Sequence, residues 1–115
     1  MTSAIMPLGV KNIAAATFVT NVQASAVPMK VFGIYGYNSK ASAQFIQLHD
    51  AAALPADAAV PVFNQTAGAS SNFNFDFGVH GMDFLVGVSA CNSSTAATKT
   101  IGSADCQFFL RMTPI

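Results

Sequence analysis

Short segments in which apolar and polar residues alternate dominate this chain. In residues 71–78, SNFNFDFG, the rings of Phe73, Phe75 and Phe77 occupy every second position, with asparagine or aspartate between them. Successive side chains of a strand point to opposite faces, so these rings would line one side of an extended segment. We predict a half-buried strand over 72–77. The alternation leaves open whether the rings face the protein's own core, a neighbouring subunit or a ligand.

Similar patterns, separated by turn-forming residues, recur along the rest of the chain. They predict further strands over 14–23, 28–38, 43–50, 61–66, 84–91 and 106–112, and a short one at 98–101. Sustained apolar spacing at three and four residues, the mark of an amphipathic helix, is missing. The sequence therefore predicts an all-β fold, a single antiparallel β-sandwich or jelly roll of seven to eight strands.

The domain boundary follows from where the alternation begins. Residues 1–12, MTSAIMPLGVKN, lack it, and we predict an N-terminal arm there, followed by a β-sandwich domain over 13–115. The proline-bearing segment 51–60 is predicted to be a long loop.

The segment 28–38, PMKVFGIYGYN, carries apolar residues on both faces. Simple alternation would place Tyr35 and Tyr37 on the same side as Met29 and Val31. Apolar residues on both sides suit a central strand covered on both faces, and its two glycines permit a bulge.

The charge content changes the picture of the surface. Of 115 residues only 9% are charged, the formal net charge is zero, and glutamate and tryptophan are absent; soluble domains average about 25% charged residues. A neutral surface argues against nucleic acid and against a membrane as partners. Two explanations fit so few charges: a monomer with an uncharged polar surface, and a subunit whose surface is covered in an assembly. We favour the subunit.

The N-terminus does not have the pattern of a secretory signal, so we expect synthesis in the cytoplasm.

Cys91 and Cys106 each lie at a strand boundary, 15 residues apart. If their strands paired as a hairpin, the two could be bridged. The alternative is two free thiols, as expected in a reducing cytoplasm. No cysteine or histidine spacing typical of zinc is present, and we expect no metal and no cofactor.

The sequence gives little indication of a catalytic site. His49 and His80 are the only histidines, and pairing of Cys91 with His80 or of Cys106 with His49 is left open. A small hydrolase is therefore a rival hypothesis, but we expect no enzyme.

The remaining candidates are carboxylates and aromatic rings. Asp76 and Asp83 flank a predicted turn and could approach each other, as a pair of catalytic carboxylates would, but the sequence shows no residues that would support such a pair. Tyr35 and Tyr37 could bind sugar, because a tyrosine ring combines an apolar face with a polar tip. The phenylalanines are expected to be core or subunit contacts.

Two stretches carry a family resemblance, VFGIYGYNSKASAQFIQLHDAAALPADAAVPVF and SSNFNFDFGVHGMDFLVGVSACNSSTAATKTIG, which span roughly residues 30–102. They resemble small virion structural proteins of tailed bacteriophages. The shared features are structural, so no active-site residues carry over from the resemblance.

The resemblance implies a β-sandwich on a virus particle. It leads us to expect a capsid decoration (cement) protein, usually trimeric, that contacts the major capsid protein and stabilises capsid subunits in the virion. The alternative is a tail or collar fibre, or a receptor-binding module that uses loops 51–60, 67–71 and 92–104 to contact a host glycan. The candidate interface residues are Ile5, Met6, Leu8, Val10, Phe73, Phe75 and Phe77.

Overall fold

The computed structural model describes residues 11–115, of which residues 11–17 are described by their backbone alone. The described residues form no helix. Their strands are β1 (Lys11–Val19), β2 (Asn21–Ser25), β3 (Met29–Asn38), β4 (Gln44–His49), β5 (Phe63–Ala67), β6 (Ser71–Asp76), β7 (Met82–Phe84), β8 (Val88–Ser93) and β9 (Cys106–Pro114).

The strands form two antiparallel sheets. Sheet A has the order β1-β9-β3-β6, and β7 pairs with β3 beyond the end of β6; sheet B has the order β2-β8-β4-β5. The apolar faces of the two sheets pack against each other, which confirms the predicted all-β sandwich. The finer assignment to a jelly roll stays a prediction.

The core lies between the sheets and follows the period-two patterns of the strands. The side chains with no exposed surface come from both layers and include Val31, Ile34, Ile46, Leu48, Phe84, Val88, Phe108, Leu110 and Met112. Burying aliphatic and aromatic side chains of this size stabilises each by about 1.5–3 kcal/mol relative to exposure. Because one face of each sheet supplies the core, the other face of each sheet points away from it.

A bulge in β3 decides which residues face outward. The pairing of β3 with β9 shifts register between Val31 and Gly33, so Phe32 is an extra residue. After the bulge the core-facing residue is Ile34, whereas Tyr35 is 40% exposed. Simple alternation was therefore wrong in placing Tyr35 on the side of Val31, and the outer side of this central strand is not covered as expected.

Two predicted strands are each divided in the structure. The segment predicted as 14–23 becomes β1 in sheet A and β2 in sheet B, separated by Thr20. The segment predicted as 84–91 becomes β7 in sheet A and β8 in sheet B. In place of the predicted strand at 98–101 there is an isolated bridge between Ser93 and Ile101.

The turn between β6 and β7 depends on glycine. Gly78 and Gly81 have φ angles of 79° and 68°, a left-handed conformation that glycine adopts without steric cost. The backbone N–H of Gly78 also donates to Oδ1 of Asp76 at 2.8 Å. The predicted turn at 77–81 is confirmed.

The predicted N-terminal arm lies mostly outside the described residues, and Ile5, Met6, Leu8 and Val10 are among the residues not described. Its last two residues, Lys11 and Asn12, begin β1. Lys11 lies opposite Met112 of β9, so the segment 1–10 joins the fold at the end of the sandwich where β9 finishes.

Candidate functional site

The outer face of sheet A carries aromatic and polar side chains in rows that cross three strands. Residues opposite each other on neighbouring strands point to the same face. In one row Tyr35 of β3 lies between Asn74 of β6 and Phe109 of β9. In the next row Gly33 lies between Asp76 and Arg111, two residues of opposite charge.

Gly33 leaves a depression in this face because it has no side chain. Strand spacing of about 4.8 Å places the Cα atoms of Asp76 and Arg111 about 10 Å apart across it. A groove of about 350 Å³ results, lined by Phe32, Gly33, Tyr35, Asn74, Asp76 and Arg111. Its volume falls in the range of small-molecule sites, about 300–1,000 Å³.

Aromatic rings border the groove and extend from it along the face. The rings of Tyr35 and Phe109 stack with centroids 5.3 Å apart and planes inclined by 14°. Further along, Phe18 and Tyr37 have ring centroids 6.4 Å apart. Phe109 was expected in the core or at a subunit contact; adjacent residues of a strand face opposite sides, so Phe108 takes the core position and Phe109 lies on the outer face.

Several polar side-chain groups of this face have no hydrogen-bond partner in the part of the chain that the structure describes. Within residues 11–115 the guanidinium of Arg111, the amide of Asn74 and the hydroxyl of Tyr35 make no hydrogen bond. Arg111 also has no ion pair among the described residues. These groups are therefore available to a ligand without breaking an internal contact.

A second exposed surface lies at one end of the sandwich. Met29 pairs with Phe84, so the β2–β3 loop and the β7–β8 loop meet at this end. These loops expose Val27 (56%), Leu85 (69%) and Val86 (50%). We call these three residues the apolar end.

Asp50 fixes the conformation of the apolar end. Its carboxylate accepts hydrogen bonds from the backbone N–H groups of Leu85, Val86 and Gly87 at 3.0, 2.8 and 3.2 Å. Burial alone would raise the pKa of Asp50, but these three hydrogen bonds outweigh it and lower the pKa below its usual value. The anionic carboxylate therefore holds the backbone of two exposed apolar residues in a defined position.

The outer face of sheet B is covered by loops and holds a buried polar cluster. Nε2 of His49 lies 3.1 Å from Oε1 of Gln47, and Sγ of Cys91 lies 3.9 Å from the same histidine nitrogen. Gln47 also donates through Nε2 to the carbonyls of Thr95, Ala96 and Thr98 at 2.9, 3.1 and 3.1 Å.

The loops over the outer face of sheet B also bury a lysine. Lys99 is 2% exposed, and its ammonium donates to the carbonyl of Pro55. Its backbone pairs with the long loop, since Ala58 N–H donates to Lys99 O at 2.8 Å and Lys99 N–H donates to Ala59 O at 2.8 Å. The loop predicted at 51–60 is thus packed over sheet B.

The cluster does not have the properties of a nucleophilic site. Burial raises the pKa of Cys91 to about 11 and lowers the pKa of His49. A catalytic cysteine needs a lowered pKa, because the thiolate is the nucleophile. Cys91 and His49 are each 2% exposed, and both contact Gln47, whose amide bonds the loop above them.

The histidine and cysteine pairs considered from sequence do not form. His49 lies beside Cys91, not beside Cys106, whose sulfur contacts Oδ1 of Asn38 at 3.7 Å. His80 lies exposed in the β6–β7 turn. The pairing of His49 with Cys91 could have been foreseen only by knowing that β4 and β8 are neighbours.

The cysteines are both buried free thiols. The hairpin that would have brought Cys91 and Cys106 together does not occur, because β8 belongs to sheet B and β9 to sheet A. Burial raises the pKa of Cys106 to about 12.

The phenylalanines proposed as interface residues belong to the core. Phe73 is 5% exposed, and Phe75 and Phe77 pack against the core cluster. The ring of Phe75 contacts Phe73 and Phe63 of sheet B, and the ring centroids of Phe63 and Phe77 lie 4.9 Å apart. The apolar side of β6 therefore faces the core between the sheets, and the interface assignment of these three rings stays a prediction.

The two carboxylates considered as a pair, Asp76 and Asp83, each have a different partner. Asp83 forms an ion pair with Lys30 at 2.8 Å, whereas Asp76 caps the β6–β7 turn and lines the groove. Within the described part of the chain, no group of three or more metal-ligating side chains comes together. Residues 11–115 also contain no helix long and apolar enough to cross a membrane.

Comparison of this chain with models of known protein families, with curated proteins and with solved structures finds no match.

Proposed function

We propose that this protein is a structural component of a tailed-bacteriophage virion, a capsid decoration protein that binds the major capsid protein and assembles as a homotrimer. Its function would be mechanical, because it would bridge neighbouring capsid subunits and oppose outward pressure from packaged DNA. The phage setting rests on the sequence resemblance of residues 30–102.

The observation that carries a contact function is the apolar end. It exposes three large aliphatic side chains, Val27, Leu85 and Val86. Exposed apolar residues that are grouped rather than scattered are typical of protein interaction surfaces. Asp50 holds two of these residues in place, so a partner would meet a surface that is already ordered.

Strand β1 begins at the same end of the sandwich. Because Lys11 lies opposite Met112 and Met29 pairs with both Phe84 and Pro114, the segment 1–10 joins the fold beside the apolar end. Segment 1–10 contains Ile5, Met6, Leu8 and Val10, which would add apolar area to the same contact. A specific interface buries about 800 Å² per partner, and the arm and the apolar end would supply it together.

The experiment measures how much protein binds to particles of the source phage. Purified wild-type protein, a variant lacking residues 1–10 and the double variant Leu85→Asp, Val86→Asp are added to particles that lack the protein. We expect each change to lower occupancy at least about tenfold, because it removes apolar contact or buries a charge. Val79→Asp is the matched control, since Val79 is 87% exposed but lies in the β6–β7 turn.

Two results would reject parts of this proposal. Absence of the protein from purified particles by mass spectrometry would reject the virion assignment. Unchanged occupancy of both altered proteins would reject the apolar end and the arm as the docking surface. Light scattering of the free protein and electron microscopy of the decorated particle give the number of copies at each site.

The second candidate is a tail or collar fibre, or a receptor-binding module that contacts a host glycan. Of the loops named for it, 51–60 lies on 94–101 over sheet B, and Ser70 of 67–71 donates its backbone N–H to the carbonyl of Lys40 at 2.9 Å. What favours this candidate is the aromatic groove on sheet A.

A further inference from the structure

The groove on sheet A combines an aromatic wall with hydrogen-bonding groups of both kinds. Tyr35 and Phe109 form a stacked pair whose tyrosine ring is 40% exposed. Asn74 and Arg111 supply donors, and Asp76 supplies acceptor oxygens. Such a site suits a ligand that has one apolar face and many hydroxyl groups.

The charge balance of the groove narrows the class of ligand. Asp76 and Arg111 lie on opposite sides of Gly33 and carry opposite charges. They are about two strand spacings apart and do not form an ion pair within the described chain. An anion would gain from Arg111 but be repelled by Asp76, so the site favours a ligand without net charge.

The shape of the groove points the same way. A flat ring could enter above Gly33, where no side chain fills the space, and lie against the exposed tyrosine. Hydroxyl groups at the edge of that ring would then reach the carboxylate on one side and the guanidinium on the other. An extended protein segment would instead seek a free strand edge, whereas this groove lies on the face of β3, which has a neighbour on each side.

We propose that this groove binds a neutral saccharide, with one pyranose ring stacked on Tyr35 and its hydroxyl groups bonded to Asp76, Arg111 and Asn74. The inference does not depend on capsid binding, and it supplies a site for the second candidate function.

The chain contains its own reporter of this event. It has two tyrosines and no tryptophan, and both tyrosines lie on the outer face of sheet A. Titration of the full chain with maltohexaose, cellohexaose and chitohexaose should change tyrosine emission saturably for at least one of them, with a Kd on the order of 1 mM. Binding should be nearly unchanged between about 0.05 and about 0.5 M salt, because a neutral ligand is not screened.

Variants separate this site from the rest of the surface. Tyr35→Ala and Asn74→Ala should weaken binding at least about tenfold and about threefold, measured by calorimetry, while Tyr35→Phe, which keeps the ring, retains most of it. The matched control is Asn72→Ala, on the same strand and face but outside the groove. Circular dichroism checks that each variant is folded, and particle occupancy should stay as in the wild type.

Three results would overturn the inference. The first is no saturable change in emission and no amide shifts at 32–35, 74–76 and 111 with any of the three saccharides at about ten times the expected Kd. The second is binding that Asn72→Ala weakens as much as Asn74→Ala. The third is binding of glycine or phenylalanine by a protein that binds none of the saccharides. A free amino acid is a zwitterion, and its two charges would also satisfy Asp76 and Arg111.

Discussion

Replacing Gln47 by leucine tests whether a single buried amide holds the loops over sheet B. Gln47 has no exposed surface. Its amide nitrogen lies 2.9–3.1 Å from the carbonyls of Thr95, Ala96 and Thr98, and its carbonyl oxygen lies 3.1 Å from Nε2 of His49. Leucine keeps a similar volume, so the change removes hydrogen bonds with little loss of apolar contact.

The magnitude follows from the number of bonds that one amide can make. The amide nitrogen carries two hydrogens, so its three carbonyl contacts count as two full hydrogen bonds. With the bond to His49, three are lost, each contributing about 1 kcal/mol net, and the weak bond from the Cys91 thiol to the same carbonyl oxygen, at 3.7 Å, is lost as well. Two of the carbonyls keep another donor, whereas no other donor to the carbonyl of Ala96 occurs among the described residues. We therefore expect a loss of about 3 kcal/mol in the free energy of unfolding.

The assay is urea denaturation followed by circular dichroism, with Gln65→Leu as the matched control. Gln65 is exposed on the neighbouring strand β5, opposite Ile46. For an m value of about 1.5 kcal/mol/M, Gln47→Leu should lower the midpoint by roughly 2 M with unchanged m. The control should shift it by less than about 0.3 M. Equal midpoints for the two variants would refute the role assigned to Gln47.

Three further predictions follow from buried groups. Burial raises the pKa values of Cys91 and Cys106 to about 11 and about 12, so at pH 8 about a thousandth or less of either is thiolate and neither should react with a disulfide reagent. In urea both should react. Rapid reaction of the native protein would contradict their burial. Burial lowers the pKa of His49 from 6.5, so as the pH falls the unfolded state binds a proton at this histidine before the folded state does. Stability should therefore decrease as the pH drops below about 6.5. Thermal unfolding at several pH values should show a smaller decrease for His49→Asn. Gly36→Ala should cost about 3 kcal/mol or prevent folding, because its Cβ would overlap the carbonyl oxygen of Gln107; a melting temperature like that of the wild type would be incompatible with this close approach.

Local patterns were enough to predict most strands and the fold class. The alternation of Phe73, Phe75 and Phe77 located β6 to within a residue and identified which side is apolar. It could not say what that side touches, because the answer lies in β5 and β9, which are distant in sequence. The choice between core and interface was therefore open until the sheets were assembled.

The groove could not be predicted for the same reason. Its residues come from β3, β6 and β9, and only the strand order places Asp76 and Arg111 on either side of Gly33. The bulge at Phe32 adds a second obstacle, because one extra residue reverses the side to which every later residue of the strand points. The glycines of 28–38 indicated that a bulge was permitted, but its position decided where Tyr35 faces.

The division between β1 and β2 was missed because alternation continues across it. β1 and β2 are separated by Thr20 alone, yet they belong to different sheets. The chain crosses from one layer to the other without a glycine, a proline or a change of period to mark the crossing.

The position of β9 has a consequence for how the protein is made. This strand follows every other strand in the chain, yet it lies in the interior of sheet A, between β1 and β3. While the ribosome is still synthesising residues 106–114, β1 has no neighbour in its sheet and the long edge of β3 is unpaired. Sheet B, whose strands all precede β9, can assemble first during translation. Closure of sheet A must wait for the last strand, and until then its two open edges are exposed to other nascent chains.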